Sequence, residues 1–396
     1  VSGWVLSKFK DHFSIGLRNG LNKPSRVRGS GVRMVNMKEI FGYDFIDDKT
    51  PMELVPVTDK EFELSNLEYG DLLFARQSLT EAGAGKVALY RGSQPTVFES
   101  HLIRCRINKQ KSDPTFLYYL FKSPLGKGAV STIVHQVAAA GIKGSDLQEL
   151  EFLFPTTEEQ KAIASILSSL DDKIDLLHRQ NATLERMAET LFRQWFAEES
   201  QEDWDEKRIG DLVKVIDNRG KTPPYTDIPS AYPLIEVNAL TGNNRLVDYS
   251  VIRKFVDGQT FKTWFRGHPK KYDSLLSTVG SIGEISMFLV EKGSIAQNVI
   301  ALSAVNICPI YLFEALKSIK DEIKELDIGS VQPSIKVPHL LSLKIKIPSK
   351  DKMDNFSTIV KSQLSKMVVN YHQIQTLEKL RDNLLPKLMS GEIQVS

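Results

Sequence analysis

The chain has 396 residues, 41% of them hydrophobic and 25% charged, with a formal net charge of +2. That length suggests two or three domains of ordinary size, and no run approaches the ~18 apolar residues of a membrane span. The charge is too small to signal nucleic acid by itself, so any basic footprint must be local. Cys105 and Cys308 stand about two hundred residues apart with no CxxC and no Cys–His cluster, so no structural zinc site is encoded and both are expected as small buried hydrophobes. The start, "VSGWVLSKFK", lacks the apolar h-region of a signal peptide, which makes a cytosolic protein the default, and the absent initiator Met hints at a trimmed N-terminus.

In chain order, Lys8 to Arg33 carries seven basic residues (Lys8, Lys10, Arg18, Lys23, Arg26, Arg28, Arg33) against Asp11. "YGDLLFARQ", "KVALYRG" and "SHLIRCRI" have the β-rich alternation of strands broken by glycine, and "PTFLYYLFKSP" resembles a short helix bounded by prolines. "ARQSLTEAGAGK" (75 to 86) is a glycine- and hydroxyl-rich turn after a strand, suited to close backbone approach to a phosphate, and "HQVAAAGIKGSDL" (135 to 147) precedes the strand that leads into a long helix.

That helix is expected over 156–198. Pro155 precedes Thr156 or Thr157 as N-cap, with acidic residues in the first turn. Ile163, Leu170, Leu177, Leu184 and Leu191 recur every seven residues, with Leu167, Ile174, Asn181, Ala188 and Trp195 four after each. Five heptads make an a/d seam, in which Asn181 is the polar residue that sets register at some cost in stability.

A second mixed α/β segment follows over 203–348. "YDSLLSTVGSIGEISMFLV" and "QNVIALSA" read as strands and "CPIYLFEALKSI" as a helix, while the charged "DEIKE" (321 to 325) reads as a solvated helix. "RKFVDGQTFKTWFRGHPKKY" sets six basic residues against Asp257, with Phe255, Phe261, Trp264, Phe265 and Tyr272 interleaved. A basic run is usually a solvated face and such aromatics usually core, so each stretch gains weight only because the chain has two. A second pair of loops, "STVGSIGE" (277 to 284) and "GSVQPSIKVPHL" (329 to 340), answers the first. A looser helix is expected over 349–391, with Val360, Leu364, Met367, Tyr371, Ile374, Leu377, Leu380 and Leu384 on its stripe, polar Gln363 and Asn370 where the first helix has leucine, Pro386 kinking or ending it and Gly391 marking a stop.

The halves are copies. A shift of 193 residues lays Ile142 on Ile335, Pro155 on Pro348, Leu184 on Leu377, Glu185 on Glu378 and Leu191 on Leu384. A helix of about 40 residues, ~60 Å long, cannot hold such a stripe in water without a partner, and the other copy is the natural one. Only a short polar link, "EESQEDWDE", follows the first helix, so connectivity predicts an antiparallel coiled coil with one globular domain, 1–155 or 203–348, at each end. The fold class expected is α+β, with two mixed α/β domains each followed by a long spacer helix. Framework kept and loops changed fits two binding modules of one type reading different targets.

Chemistry is not encoded. "AGAGK" lacks the first glycine and the final Ser or Thr of a P-loop, since Thr80 and Val87 stand there. "TPPY" (222 to 225) lacks the Asp, Asn or Ser that opens an amino-methyltransferase tetrapeptide, and the seven histidines form no HExxH.

Along essentially its whole length the chain resembles a specificity subunit of a type I restriction–modification system. The resemblance is carried by "FPTTEEQKAIASILSSLDDKIDLL…ETLFRQWF" and "LRDNLLPKLMSGEI", supported by "GSIGE" and "VQPSI". The first copy departs from the pattern: "RQSLTEAGAGK" is longer than the usual turn and "AAAGI" replaces "QPSI". The resemblance implies a protein without catalytic activity or bound cofactor that reads an asymmetric, interrupted DNA target. It also implies partners: two methylation subunits using S-adenosylmethionine and restriction subunits using ATP and Mg. The candidate DNA contacts are then Arg26, Arg28, Arg76, Gln77, Lys86, Arg219, Lys221, Lys270, Lys271, Ser277, Ser281 and Gln332. The seam is assigned to Ile163, Leu170, Ile174, Leu177, Asn181, Leu184, Leu191, Leu364, Met367, Ile374, Leu377 and Leu384. The competing reading is a coiled-coil scaffold whose end domains bind proteins; a free-standing methyltransferase or nuclease would instead turn over alone.

Overall fold

The computed structural model describes residues 3–80, 83–136, 140–199, 204–220, 222–241, 245–289, 292–329 and 331–395. The chain divides into two units, Val1–Asp175 with Gln375–Ser396, and Leu176–Ile374.

In the first unit a five-stranded sheet runs in the order Arg18–Asn19, Leu102–Cys105, Leu72–Ala75, Val87–Tyr90, Phe45–Ile46. Its central strands are antiparallel, with Phe74 opposite both Ile103 and Val87. Period two explains what the strands bury. Leu72, Phe74, Leu89 and Ile103 join a core with helix Pro114–Lys122 on one side, while Leu73, Ala75, Ala88, Tyr90 and Leu102 join a second core with Val35 and Ile40 on the other. Both faces are therefore covered, and these strands have no polar face of the kind alternation implies. Helix Pro114–Lys122 starts with proline at its first position and Asp113 as its cap, the Asp113 side chain accepting from the Phe116 N–H.

The second unit repeats the plan with a four-stranded sheet ordered Val213–Asp217, Val299–Ala304, Ser274–Ser277, Ile285–Met287. Leu276, Ile300 and Leu302 face helix Pro309–Ser318; Leu275, Val299 and Ala301 face Ile235 and Phe288. In each unit an edge pair closes the module, Val5–Lys8 on Glu151–Phe154 and Asp205–Arg208 on Lys344–Ile347, both antiparallel. Cys105 is buried as expected, whereas Cys308 is only half-buried because it stands at the N-cap position of helix Pro309–Ser318.

The long helices are Thr157–Phe192, widening to a π turn over Arg193–Glu198, and Lys350–Met389. Thr156 is the cap of the first, its hydroxyl accepting from the Glu159 N–H at 3.3 Å. They pair antiparallel within each unit. In the first, Ile163 and Leu167 share a core with Leu384 and Leu388, and Arg381 bonds Asp171. In the second, Leu184, Ala188 and Leu191 pack with Val360, Leu364 and Met367, and Asn370 bonds Asn181. Ile174, Leu177 and Ile374 are buried, Leu170 and Leu377 half-buried. Two expectations change. Pro386 does not end the helix, which runs three residues further; so close to the C-terminus the proline forfeits one backbone bond while Leu388 and Met389 stay in the core. Leu380 is 45% exposed, off the seam, and Arg381 takes the inward place.

Candidate nucleic-acid interface

Loops about sixty residues apart in the chain meet in each unit, and they meet in the same way. In the first unit the strand Leu72–Ala75 ends in a turn closed by Gly85, at φ +76°, whose N–H donates to the Ala75 carbonyl at 2.8 Å. The next residue, Arg76, accepts from the Ile142 N–H at 2.9 Å, and the strand Gln77–Ser78 pairs with Ala140–Gly141, itself paired with His135–Gln136. In the second unit Gly283, at φ +73°, donates to the Ser277 carbonyl at 3.0 Å, Thr278 accepts from the Ile335 N–H at 2.9 Å, and Gly280 donates to the Pro333 carbonyl at 2.9 Å. Ala75, Arg76 and Lys86 thus correspond to Ser277, Thr278 and Glu284. Only glycine takes a left-handed φ without strain, which is why both turns keep one there.

One platform therefore carries two chemistries. In the first unit Asn19, Arg76, Gln77, His135 and Lys143, with Gly141, Ile142 and Gly144, line a cleft of about 380 Å³. Among the described residues neither Arg76 nor Gln77 has a side-chain partner. His135 bonds Asp146 at 2.9 Å, and that hydrogen bond, with one from Ser145, holds the Asp146 carboxyl below its ordinary range. The second platform presents Ser281 and Gln332, both exposed, and no cation stands at the positions of Arg76 and Lys86. Each tip also carries a bare aliphatic side chain, Leu79 at 99% and Val331 at 98% exposure.

The remaining candidates scatter. Arg26 is exposed, but Arg28 is held by the Lys23 carbonyl at 3.0 Å, by Asn36 Oδ1 at 3.1 Å and by an ion pair with Glu53, beside the three-stranded sheet of Val32–Val35. Lys86 turns from the cleft to donate to the Phe41 carbonyl at 2.9 Å, and burial lowers its pKa. Ser277 is fully buried: its hydroxyl donates to the Ser281 carbonyl at 2.5 Å and accepts from the Glu284 N–H at 2.8 Å, so it builds the turn and does not face a ligand. Arg219 pairs with Asp217 at 2.9 Å, at the end of the sheet where the turn lies, since Asp217 stands opposite Ile300 and Ile300 opposite Leu276. Lys270 and Lys271 are exposed just before Ser274, at the other end of that strand. Lys221 falls outside the described residues.

The first basic run is largely answered from within, the second only in part. Lys8 and Lys10 share Glu149 at 2.9 and 2.7 Å, Lys23 bonds Glu61 at 2.8 Å, and Arg33 reaches the Asp48 and Thr50 carbonyls at 2.9 and 2.8 Å. In the second run Lys254 bonds Glu236 at 2.7 Å, and Phe261 stacks between Tyr232 and His268, with centroids 4.4 and 3.8 Å away. These groups are fold, and no stacking platform is left on Phe261. Asn19 lies outside the loops that the sequence singles out, whereas His135, Lys143, Leu79 and Val331 lie inside them without being among the candidate contacts. Leu79 is detectable as the one large aliphatic in the glycine- and hydroxyl-rich loop 75 to 86.

Two modules with one framework and unlike tips define a tandem recognition protein. Residues 22–186, and again 201–379, match the family model for the type I restriction modification DNA specificity domain. The chain belongs to that family and is a DNA sequence-specificity subunit of the type I restriction–modification class. Among relatives, it is 27% identical to the MjaIX specificity subunit of Methanocaldococcus jannaschii, over 99% of this chain and 94% of the relative. It is 22% identical to the HindI specificity subunit of Haemophilus influenzae, over 62% of this chain and 70% of that one. A crystal structure of a type I restriction–modification S subunit from M. genitalium shares the fold with a TM-score of 0.62 at 18% identity, covering 98% of this chain and 96% of that chain.

Proposed function

We propose that the two recognition domains, 1–155 and 203–348, each read one half of an interrupted duplex target through the joined loops, acting in the cytoplasm. Arg76 and Gln77, left without side-chain partners among the described residues, serve base edges in the first, and Gln332 with Ser281 serves the second. The chain does no chemistry itself; it recruits two methylation subunits that use S-adenosylmethionine and restriction subunits that use ATP and Mg, and the length of the helices 156–198 and 349–391 sets the gap between half-sites. What carries the reading is that two distant loops join at matched backbone positions in both halves while their side chains differ, as expected of one scaffold given two targets.

Binding of the purified chain to duplex DNA across a salt series tests it. Phosphate neutralisation requires affinity to fall steeply with salt, and salt-independent or absent binding would favour the protein-scaffold reading. Removing seven residues from each long helix should change the preferred gap; an unchanged footprint would count against the ruler.

A further inference from the structure

A duplicated helix can pair in two ways: copy one on copy two, or either copy on a second copy of itself from another chain. Apolar positions do not separate these outcomes, because Leu184 with Leu377, and Leu191 with Leu384, occupy the same places in the repeat. Polar positions do. Asn370 is fully buried and donates from Nδ2 to Asn181 Oδ1 at 2.9 Å. The repeat lays Asn370 on Leu177 and Asn181 on Ile374, so the equivalent layer is apolar, and both of those residues are buried. The second polar layer behaves alike. Arg381 Nη1 donates to Asp171 Oδ1 at 2.8 Å, while the other Asp171 oxygen accepts the Tyr119 hydroxyl at 2.7 Å. The repeat equivalents of Arg381 and Asp171 are Ala188 and Leu364, which lie in one apolar cluster. Each polar pair thus joins a polar residue of copy one to a polar residue of copy two, at repeat positions where the other copy is apolar.

We propose that these two layers make the pairing selective, so that copy one accepts copy two and rejects a second copy one. In an antiparallel pair of copy one with itself in this register, Asn181 faces Leu177 and Asp171 faces Ala188, each twice. In copy two with itself, Asn370 faces Ile374 and Arg381 faces Leu364. Every such dimer holds four polar groups that lose the bond across the seam, although Gln373 repeats the Gln180 that also accepts from Asn370 at 3.4 Å and Arg381 keeps Asp382 at 2.9 Å. A buried polar group without its partner costs about a factor of ten in an equilibrium constant, so self-pairing is weaker by roughly a hundredfold after discounting the half-buried Asn181, the partly open Asp171 and Arg381 and the bonds that remain. A single polar seam residue setting the partner of a coiled coil is the best-attested use of such groups. The inference concerns assembly and does not depend on what the tips bind.

The test starts from the folded full chain with a protease site placed between Glu199 and Trp204 and cut after purification. Nicked protein is mixed with isotopically heavy nicked protein, warmed until the halves exchange, and read by native mass spectrometry. Wild-type protein should give mixed-mass pairs of first half with second half only. The variant carrying each partner's repeat equivalent, Asp171→Leu, Arg381→Ala, Asn181→Ile and Asn370→Leu, should add first-with-first and second-with-second pairs in comparable amounts. Self-pairs of the wild type at that share would overturn the proposal, as would a variant that still forms only unlike pairs. If nicked halves do not exchange, intact chains refolded from urea at rising concentration decide it: the wild type stays monomeric and the variant gains a dimer, and identical behaviour overturns the idea.

Discussion

Arg245 sits in the second unit 1% exposed, with Nε donating to Glu185 Oε2 at 2.6 Å, Nη2 paired with Glu314, and its guanidinium 4.9 Å from the Phe313 ring. Glu185 belongs to the first long helix and Glu314 to helix Pro309–Ser318, so one buried cation ties that helix to its domain. Arg245→Met leaves two carboxylates in the core. Lys317 still reaches Glu185 at 2.5 Å, so the larger penalty falls on Glu314, only 2% exposed. Breaking a buried pair from one side costs about 3–5 kcal/mol, and the surviving Lys317 bond argues for the lower end. Burial already pushes the Glu314 carboxyl up against the pull of Arg245, and without the arginine it rises further. A carboxyl raised in the fold keeps its proton there to higher pH than in the unfolded chain, so the variant loses stability as pH climbs from the ordinary carboxyl range near 4.3. The loss is therefore greatest at neutral pH and smaller near pH 4. Trp195, Trp204 and Trp264 lie in this unit and only Trp4 in the other, so tryptophan fluorescence in urea follows it. With a slope of about 2–3 kcal/mol/M, the midpoint should fall by roughly 1 M. A fall under about 0.3 M, or one equal at both pH values, would refute the electrostatic argument. Arg245→Met combined with Glu185→Leu and Glu314→Leu should recover most of the loss.

Gly85→Ala and Gly283→Ala both force a side chain into left-handed backbone, at about 1–2 kcal/mol each. The first should cost more, because its Cβ would fall 2.3 Å from Val130 Cγ1, against 3.2 Å from Lys324 Cγ for the second; thermal melts of the two variants rank them. His12 is buried between Ser112 and Ser7, at 2.7 and 3.0 Å, and burial lowers its pKa. The unfolded chain then takes up the proton first, so the first unit loses stability as pH falls below about 6.5, and His12→Gln should flatten that slope in melts from pH 7 to 5. Arg76→Ala and Gln77→Ala should each cost about 1–3 kcal/mol for the cognate duplex and little for random duplex, measured by competition at fixed salt; equal losses on both would show phosphate contact alone.

The repeat, the strands, the helix Pro114–Lys122 and most of the seam were legible because each is written in local periodicity. Leu380 was misplaced because the period admits Leu380 and Arg381 almost equally, and the choice fell to Asp171 across the helix pair. Partners within the fold for the candidates Arg28, Lys86 and Arg219, and for the basic run around them, were not legible for a related reason. Charge counts cannot reveal that Glu149, far along the chain, neutralises Lys8 and Lys10, or that Glu53 holds Arg28.

By itself the sequence determined that the chain is one α/β module plus helix made twice, since duplication and hydrophobic period are properties of order along a chain. Tertiary structure decided which cations remain available, which distant loops share a platform, and that Asn181 finds Asn370. Those outcomes depend on which groups come within ~3 Å of one another in space, a distance that spacing along the backbone does not contain.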